Sequence, residues 1–273
     1  MVLGEAPIFR ANDSTLHWVD CLSEPSRLYI LKIDDSGDAI GEARVLDLED
    51  SVTVVFFRKG KPGYIAAYYQ GVCFIDELTG KMDIVKEDHP NKSTRRVAIQ
   101  RCYGTPRGRL WRFDPDGSLH LVIEKGVVCG NGLGWSPDNK TMYFHDSVAM
   151  VVWAYDFDLE SGDISNKRLL IDRRSSFGEP DGMVVDTNGN LWIAMFDSNR
   201  VMVFSPEARH LKDIIFSARN PACTTWGGKN FDIIYMASGK DRRPNPDPQD
   251  EGGHMFRYKP TDAHGKPKHE FAG

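Results

Sequence analysis

Short apolar runs separated by polar turn signals recur along the whole chain. Leu16-His17-Trp18-Val19-Asp20, Tyr64-Ile65-Ala66-Ala67, Met142-Tyr143-Phe144-His145-Asp146, Leu191-Trp192-Ile193-Ala194 and Ile233-Ile234-Tyr235-Met236-Ala237 are the clearest. Aromatic and β-branched side chains dominate them, which suits pleated, half-buried surfaces. Between them lie Asp114-Pro115-Asp116-Gly117, Pro137-Asp138-Asn139-Lys140 and Asp186-Thr187-Asn188-Gly189-Asn190, residue types that bend the backbone or hydrogen-bond it locally. Long stretches of helical period are hard to find, so the pattern predicts strands throughout.

One unit repeats: a small or polar opening, an apolar strand, an Asp/Asn/Gly turn, then a strand with a central aromatic. Its copies open at Glu5, Ser51, Asn131, Asp181 and Cys223, with intervals of 46, 50 and 42 residues where neighbours are present. The 80 residues from Ser51 to Asn131 are too many for one unit. A further opening near residue 97 leaves only 34 residues before the next. Six units with a shortened third predict an all-β, six-bladed β-propeller of four-stranded antiparallel blades, the third truncated or irregular, in a single domain over residues 1–273. A pair of β-sandwiches is the alternative. In a propeller the inner strands surround the axis, so the unit openings line the central channel.

Composition narrows the function. Apolar residues make up 41%, enough for a large core, and the formal charge is −5. That balance argues against nucleic acid and anionic lipid as partners. No run approaches the roughly 18 apolar residues of a membrane helix. Met1-Val2-Leu3-Gly4-Glu5 lacks the basic flank and apolar core of a signal peptide. The five cysteines, Cys21, Cys73, Cys102, Cys129 and Cys223, are odd in number and widely spaced, as buried thiols of a reducing compartment would be. A cytoplasmic protein is expected, as a monomer, because a closed ring leaves no sticky sheet edge. There is no Gly-x-Ser-x-Gly elbow for a serine nucleophile and no phosphate-cradling loop. Trp18, Trp135, Trp192 and Trp226 read as blade-packing anchors, and His17 and His145 as strand residues facing a polar partner or solvent.

Three openings carry oxygen side chains: Glu5 in Gly4-Glu5-Ala6-Pro7, Asn131 in Gly130-Asn131-Gly132-Leu133, and Asp181 in Pro180-Asp181-Gly182-Met183. Asn-Gly and Asp-Gly are also ordinary turn pairs. Converging on one axis, two carboxylates and an amide oxygen suit a hard divalent cation such as Ca²⁺, Mg²⁺ or Mn²⁺, and accept Zn²⁺.

These residues, with Leu16-His17-Trp18-Val19-Asp20, Tyr143-Phe144-His145-Asp146-Ser147, Gly189-Asn190-Leu191-Trp192-Ile193-Ala194 and Gly252-Gly253-His254-Met255-Phe256-Arg257-Tyr258, make the chain resemble the senescence-marker-protein/regucalcin and gluconolactonase family. The resemblance implies a six-bladed propeller that hydrolyses sugar lactones with one divalent cation held by a Glu, two Asn and an Asp. It implies Glu5, Asn131 and Asp181 as metal ligands, Asp181 as catalytic acid/base, and Arg95 as a substrate contact. The family's third-blade segment is replaced by Thr94-Arg95-Arg96-Val97-Ala98-Ile99-Gln100-Arg101-Cys102-Tyr103-Gly104-Thr105-Pro106, so Val97 stands where an Asn ligand is expected. The expected function is therefore metal-dependent hydrolysis of a lactone such as gluconolactone. A propeller that binds a metal or ligand without turnover is the alternative, and a protein-interaction propeller a third.

Overall fold

The computed structural model describes residues 1–68, 70–87, 106 and 108–273. Among these every regular element is a strand, and no helix is long and apolar enough to cross a membrane. The first sheet runs β1 (Gly4–Arg10), β2 (Thr15–Asp20), β3 (Ser26–Ile33), β4 (Ala39–Leu48), each strand paired antiparallel with the next. The second repeats this order with β5 (Val52–Phe57), β6 (Tyr64–Tyr68), β7 (Gly71–Ile75) and β8 (Met82–Glu87). In third place stand only β9 (Gly108–Phe113) and β10 (Leu119–Val127). Two more four-stranded sheets follow: β11 (Gly130–Trp135), β12 (Thr141–Asp146), β13 (Val151–Phe157), β14 (Ile164–Asp172), then β15 (Glu179–Val185), β16 (Leu191–Phe196), β17 (Arg200–Phe204), β18 (His210–Ile215). The last sheet has three, β19 (Asn220–Gly227), β20 (Ile233–Gly239) and β21 (Met255–Tyr258).

This corrects the expected count: the described residues form five blades, not six. Among the described residues the third position holds a two-stranded ribbon, β9 and β10; residues 88–105 and 107 lie outside the described part. The predicted runs fall on β2, β6, β12, β16 and β20, the second strand of each blade. Turn chemistry holds their ends in place. Buried Asp186, for example, accepts from the Asn188 and Asn190 backbone N–H groups and from the Trp192 indole.

Blade faces pack on one another. Ile8, Val19, Val55, Phe57 and Tyr64 join the first two blades in one buried cluster. Trp192 and Trp226 meet edge to face, with ring centroids 5.2 Å apart, between the last two. The N-terminus closes the ring, since Leu3 bridges Gly239 and the Met1 ammonium donates to the Gly253 carbonyl at 2.7 Å. On β11, Gly132 and Gly134 abut the fifth-position blade, so the alternate side chains, Leu133 and Trp135, face the ribbon. Trp135 is 36% exposed and rests on Phe157, not the interblade anchor expected of it.

A C-terminal strap runs past the ends of several inner strands. The Thr187 N–H donates to the His264 carbonyl, and the Gly265 N–H to that of Phe231. The Lys268 ammonium donates to the Pro7 carbonyl at 3.1 Å. Phe271 pairs with β5 through Phe57 and Lys59, and its ring lies between Phe74 of the second blade and Phe113 of the ribbon.

Candidate functional site

Every described inner strand of the five blades carries a register shift at its unit opening. The shifts lie between Glu5 and Ile8, Val52 and Val54, Gly130 and Leu133, Pro180 and Met183, and Pro221 and Cys223. A bulge bends the strand and re-aims one side chain away from the regular alternation. Glu5, Asn131 and Asp181 sit within these bulges. In the first and fourth positions the entry is fixed in the same way. Asp20 accepts from the Val2 and Leu3 N–H groups at 2.7 and 3.0 Å, and Asp146 from those of Val128 and Cys129 at 2.8 and 2.9 Å.

Glu5 and Asp181 are brought close enough to repel each other. Burial pushes the Glu5 carboxyl up to about 7. Asp181 is raised well above the usual carboxylate range by burial, then by the neighbouring charges of Glu5 and Glu179. Asp181 Oδ1 is buried with no hydrogen-bond partner. Asn131 itself is exposed on the ribbon side, but the next residue is wedged against the pair's support. A methyl group at Gly132 would lie 2.3 Å from the Asp181 carbonyl oxygen and 2.5 Å from His145 Nδ1. Cys223 lies on the other side, where a methyl at Gly182 would meet its Sγ at 2.4 Å. Burial raises the Cys223 thiol to about 12, which keeps it protonated and un-nucleophilic.

Among the described residues no three histidine, cysteine, aspartate or glutamate side chains gather as a cation cluster. The fit for a divalent cation therefore rests on two neighbouring buried carboxylates, one of whose oxygens has no donor; Asn131 stands at the corresponding bulge of β11, with its side chain exposed. Hard oxygen donors of this kind fit. Arg95 and Val97 lie outside the described residues. A surface hollow of about 980 Å³ lies elsewhere: an open groove between the last blade and the start of the strap, lined by Asn230, Asp232, Lys259 and Asp262 among others.

Both strand histidines face a polar partner, as expected, though sequence reasoning did not foresee which. Both are fully buried, neither facing solvent. His17 is satisfied on both nitrogens, by Thr15 at 2.7 Å and Tyr64 at 2.8 Å, a packing role between blades. His145 instead reaches the Asp181 backbone, with Nδ1 2.7 Å from its carbonyl oxygen, and burial lowers its pKa to about 4. A His-Asp-Ser sequence ending β12 was the one available signal.

Fold and site together define a β-propeller with two neighbouring buried carboxylates at the bulged openings of its inner strands. Residues 96–240 match the family described as SMP-30/Gluconolactonase/LRE-like region, and the chain belongs to it. It is 27% identical to regucalcin of Danio rerio over 290 residues, covering 99% of this chain and 95% of the relative. It is 29% identical to 6-deoxy-6-sulfogluconolactonase of Pseudomonas putida over 258 residues, covering 89% and 85%. Its fold matches that of a calcium-binding regucalcin from Agrobacterium tumefaciens with a TM-score of 0.84 at 19% identity, covering 99% of this chain and 94% of the other.

Proposed function

We propose that this chain hydrolyses a lactone of the sugar (aldono)lactone class, with Glu5, Asn131 and Asp181 holding one divalent cation and Asp181 serving as acid/base. The observation that carries the reading is the Glu5–Asp181 pair at two bulged openings, one of its oxygens buried without a donor. Relatives named as lactonases support the reaction class. When bound, the cation supplies Lewis-acid polarisation of the lactone carbonyl. Asp181 takes a proton from the water that attacks the carbonyl carbon. The ring C–O bond then breaks, and the same proton passes to the departing ring oxygen, leaving a hydroxy acid. A carboxyl group raised towards neutrality suits both directions of that transfer. Arg95 is proposed to contact the sugar hydroxyls.

Glucono-δ-lactone opening, followed by acid release in weak buffer with added Ca²⁺, Zn²⁺, Mn²⁺ or Mg²⁺, tests this. Asp181→Asn is expected to lose activity by about a hundred-fold or more while melting near the parent temperature. Failure to open any aldonolactone, or full activity in Asp181→Asn, ends the proposal. The exposure of Asn131 favours one second reading: a propeller that binds a cation or ligand without turnover. Calorimetric Ca²⁺ binding with no hydrolysis is its signature.

A further inference from the structure

We infer that His145 and Ser147 form a two-point clamp that positions Asp181 from the neighbouring blade. The inference rests on the proposed role of Asp181 and assigns it its positioning residues. The bulge between Pro180 and Met183 leaves Asp181 and Gly182 without a register partner on β16, at the point where the Pro180 and Asp181 carbonyls turn to the neighbouring blade. Both find donors on the fourth-position blade. The Ser147 hydroxyl donates to the Pro180 carbonyl at 2.6 Å, and His145 Nδ1–H donates to that of Asp181 at 2.7 Å. Ser147 and His145 are 3% and 0% exposed, so no water competes for either carbonyl. Their own backbone is pinned in turn: the Ser147 N–H donates to the Cys129 carbonyl, and Asp146 between them holds the Val128 and Cys129 N–H groups.

The acceptor is a carbonyl, so Nδ1 carries the proton and Nε2 is left as a bare lone pair; Nε2 has no partner. Gly132 completes the arrangement, because no side chain fits between its Cα and the Nδ1–carbonyl contact. The clamp thus couples two proposed ligand loops. The residue after Asn131 rests on the bond that fixes the backbone of Asp181. A side chain that must meet a reacting atom within a few tenths of an ångström needs such support, since a misplacement of about 1 Å can cost a hundred-fold in rate. His145 and Ser147 touch no substrate here; they act through Asp181.

The test uses the full-length chain and four variants: His145→Leu, His145→Asn, Ser147→Ala and Asp181→Asn. Asn presents a donor where Nδ1 stood, whereas Leu fills the space without one. Three readouts are taken: thermal midpoint, amide hydrogen exchange of residues 179–185 by mass spectrometry, and Mn²⁺ affinity with kcat and KM on glucono-δ-lactone. His145→Leu and Ser147→Ala are expected to speed exchange across 179–185 severalfold. They are expected to lower Mn²⁺ affinity and kcat by about ten-fold or more, with KM little changed. His145→Asn is expected to restore most of both. Unchanged exchange in both deletions, or His145→Asn as impaired as His145→Leu, overturns the clamp. If His145→Leu does not fold, Ser147→Ala and His145→Asn decide. If the unsubstituted chain neither binds Mn²⁺ nor opens the lactone, the proposed function fails, and the exchange result still decides the clamp.

Discussion

At the scale of the residue, the carboxylate pair sets how stability responds to pH. Unfolded, Glu5 and Asp181 ionise near their ordinary values of about 4. Folded, burial holds Glu5 protonated up to about 7, and burial with the charges of Glu5 and Glu179 raises Asp181 as well. Between those values the folded state binds more protons than the unfolded, so their contribution is fully present below about pH 4 and is lost as pH rises through 7. Cation-free protein is therefore expected to melt progressively lower between about pH 5 and 8. Asp181→Asn should flatten the slope, and Ca²⁺ or Mn²⁺ at about pH 8 should restore the midpoint. A flat cation-free profile contradicts this account. The three oxygen-bearing openings were legible because each stands beside Gly or Pro at the start of a repeat. The roles of His145 and Ser147 were not, since their acceptors lie 36 and 33 residues further on. Trp135 was misread because its sequence context matches that of the buried tryptophans, while its burial depends on the short unit beside it.

At the scale of the element, the bulged inner strand is the working part. It needs glycine where strand and neighbour come closest. Gly132→Ala forces a methyl against the Asp181 carbonyl and His145, and is expected to cost about 1–3 kcal/mol in urea unfolding and to weaken Mn²⁺ binding with it. A neutral result would show that the bulge relaxes freely. Second strands were readable from their apolar, aromatic composition, and β9 with its Asp114-Pro115-Asp116-Gly117 turn from local chemistry. The bulges themselves leave no mark in hydrophobic alternation, because one inserted residue shifts register without changing composition. The expected six blades became five for a related reason. A period predicts where a unit begins, not how many strands form within it.

At the scale of the whole molecule, the shortened position must still be spanned for the ring to hold. The ribbon packs through Leu110 and Ile123 onto the fourth-position blade, and among the described residues Phe271 touches both Phe113 of the ribbon and Phe74 of the second blade. Phe271→Ala is expected to lower stability by about 1–3 kcal/mol, measured by urea unfolding. Removal of residues 264–273 should cost more, since it also takes away Lys268 and the edge pairing with β5. Equal stability of the truncated chain would assign the bridge no weight. No periodic pattern foretold the strap, whose partners lie up to 261 residues away. Its course has a consequence for mechanical load. The tail fastens to the first, second and last two blades at once, so a pull on the C-terminal segment is shared by most of the ring instead of peeling one blade away.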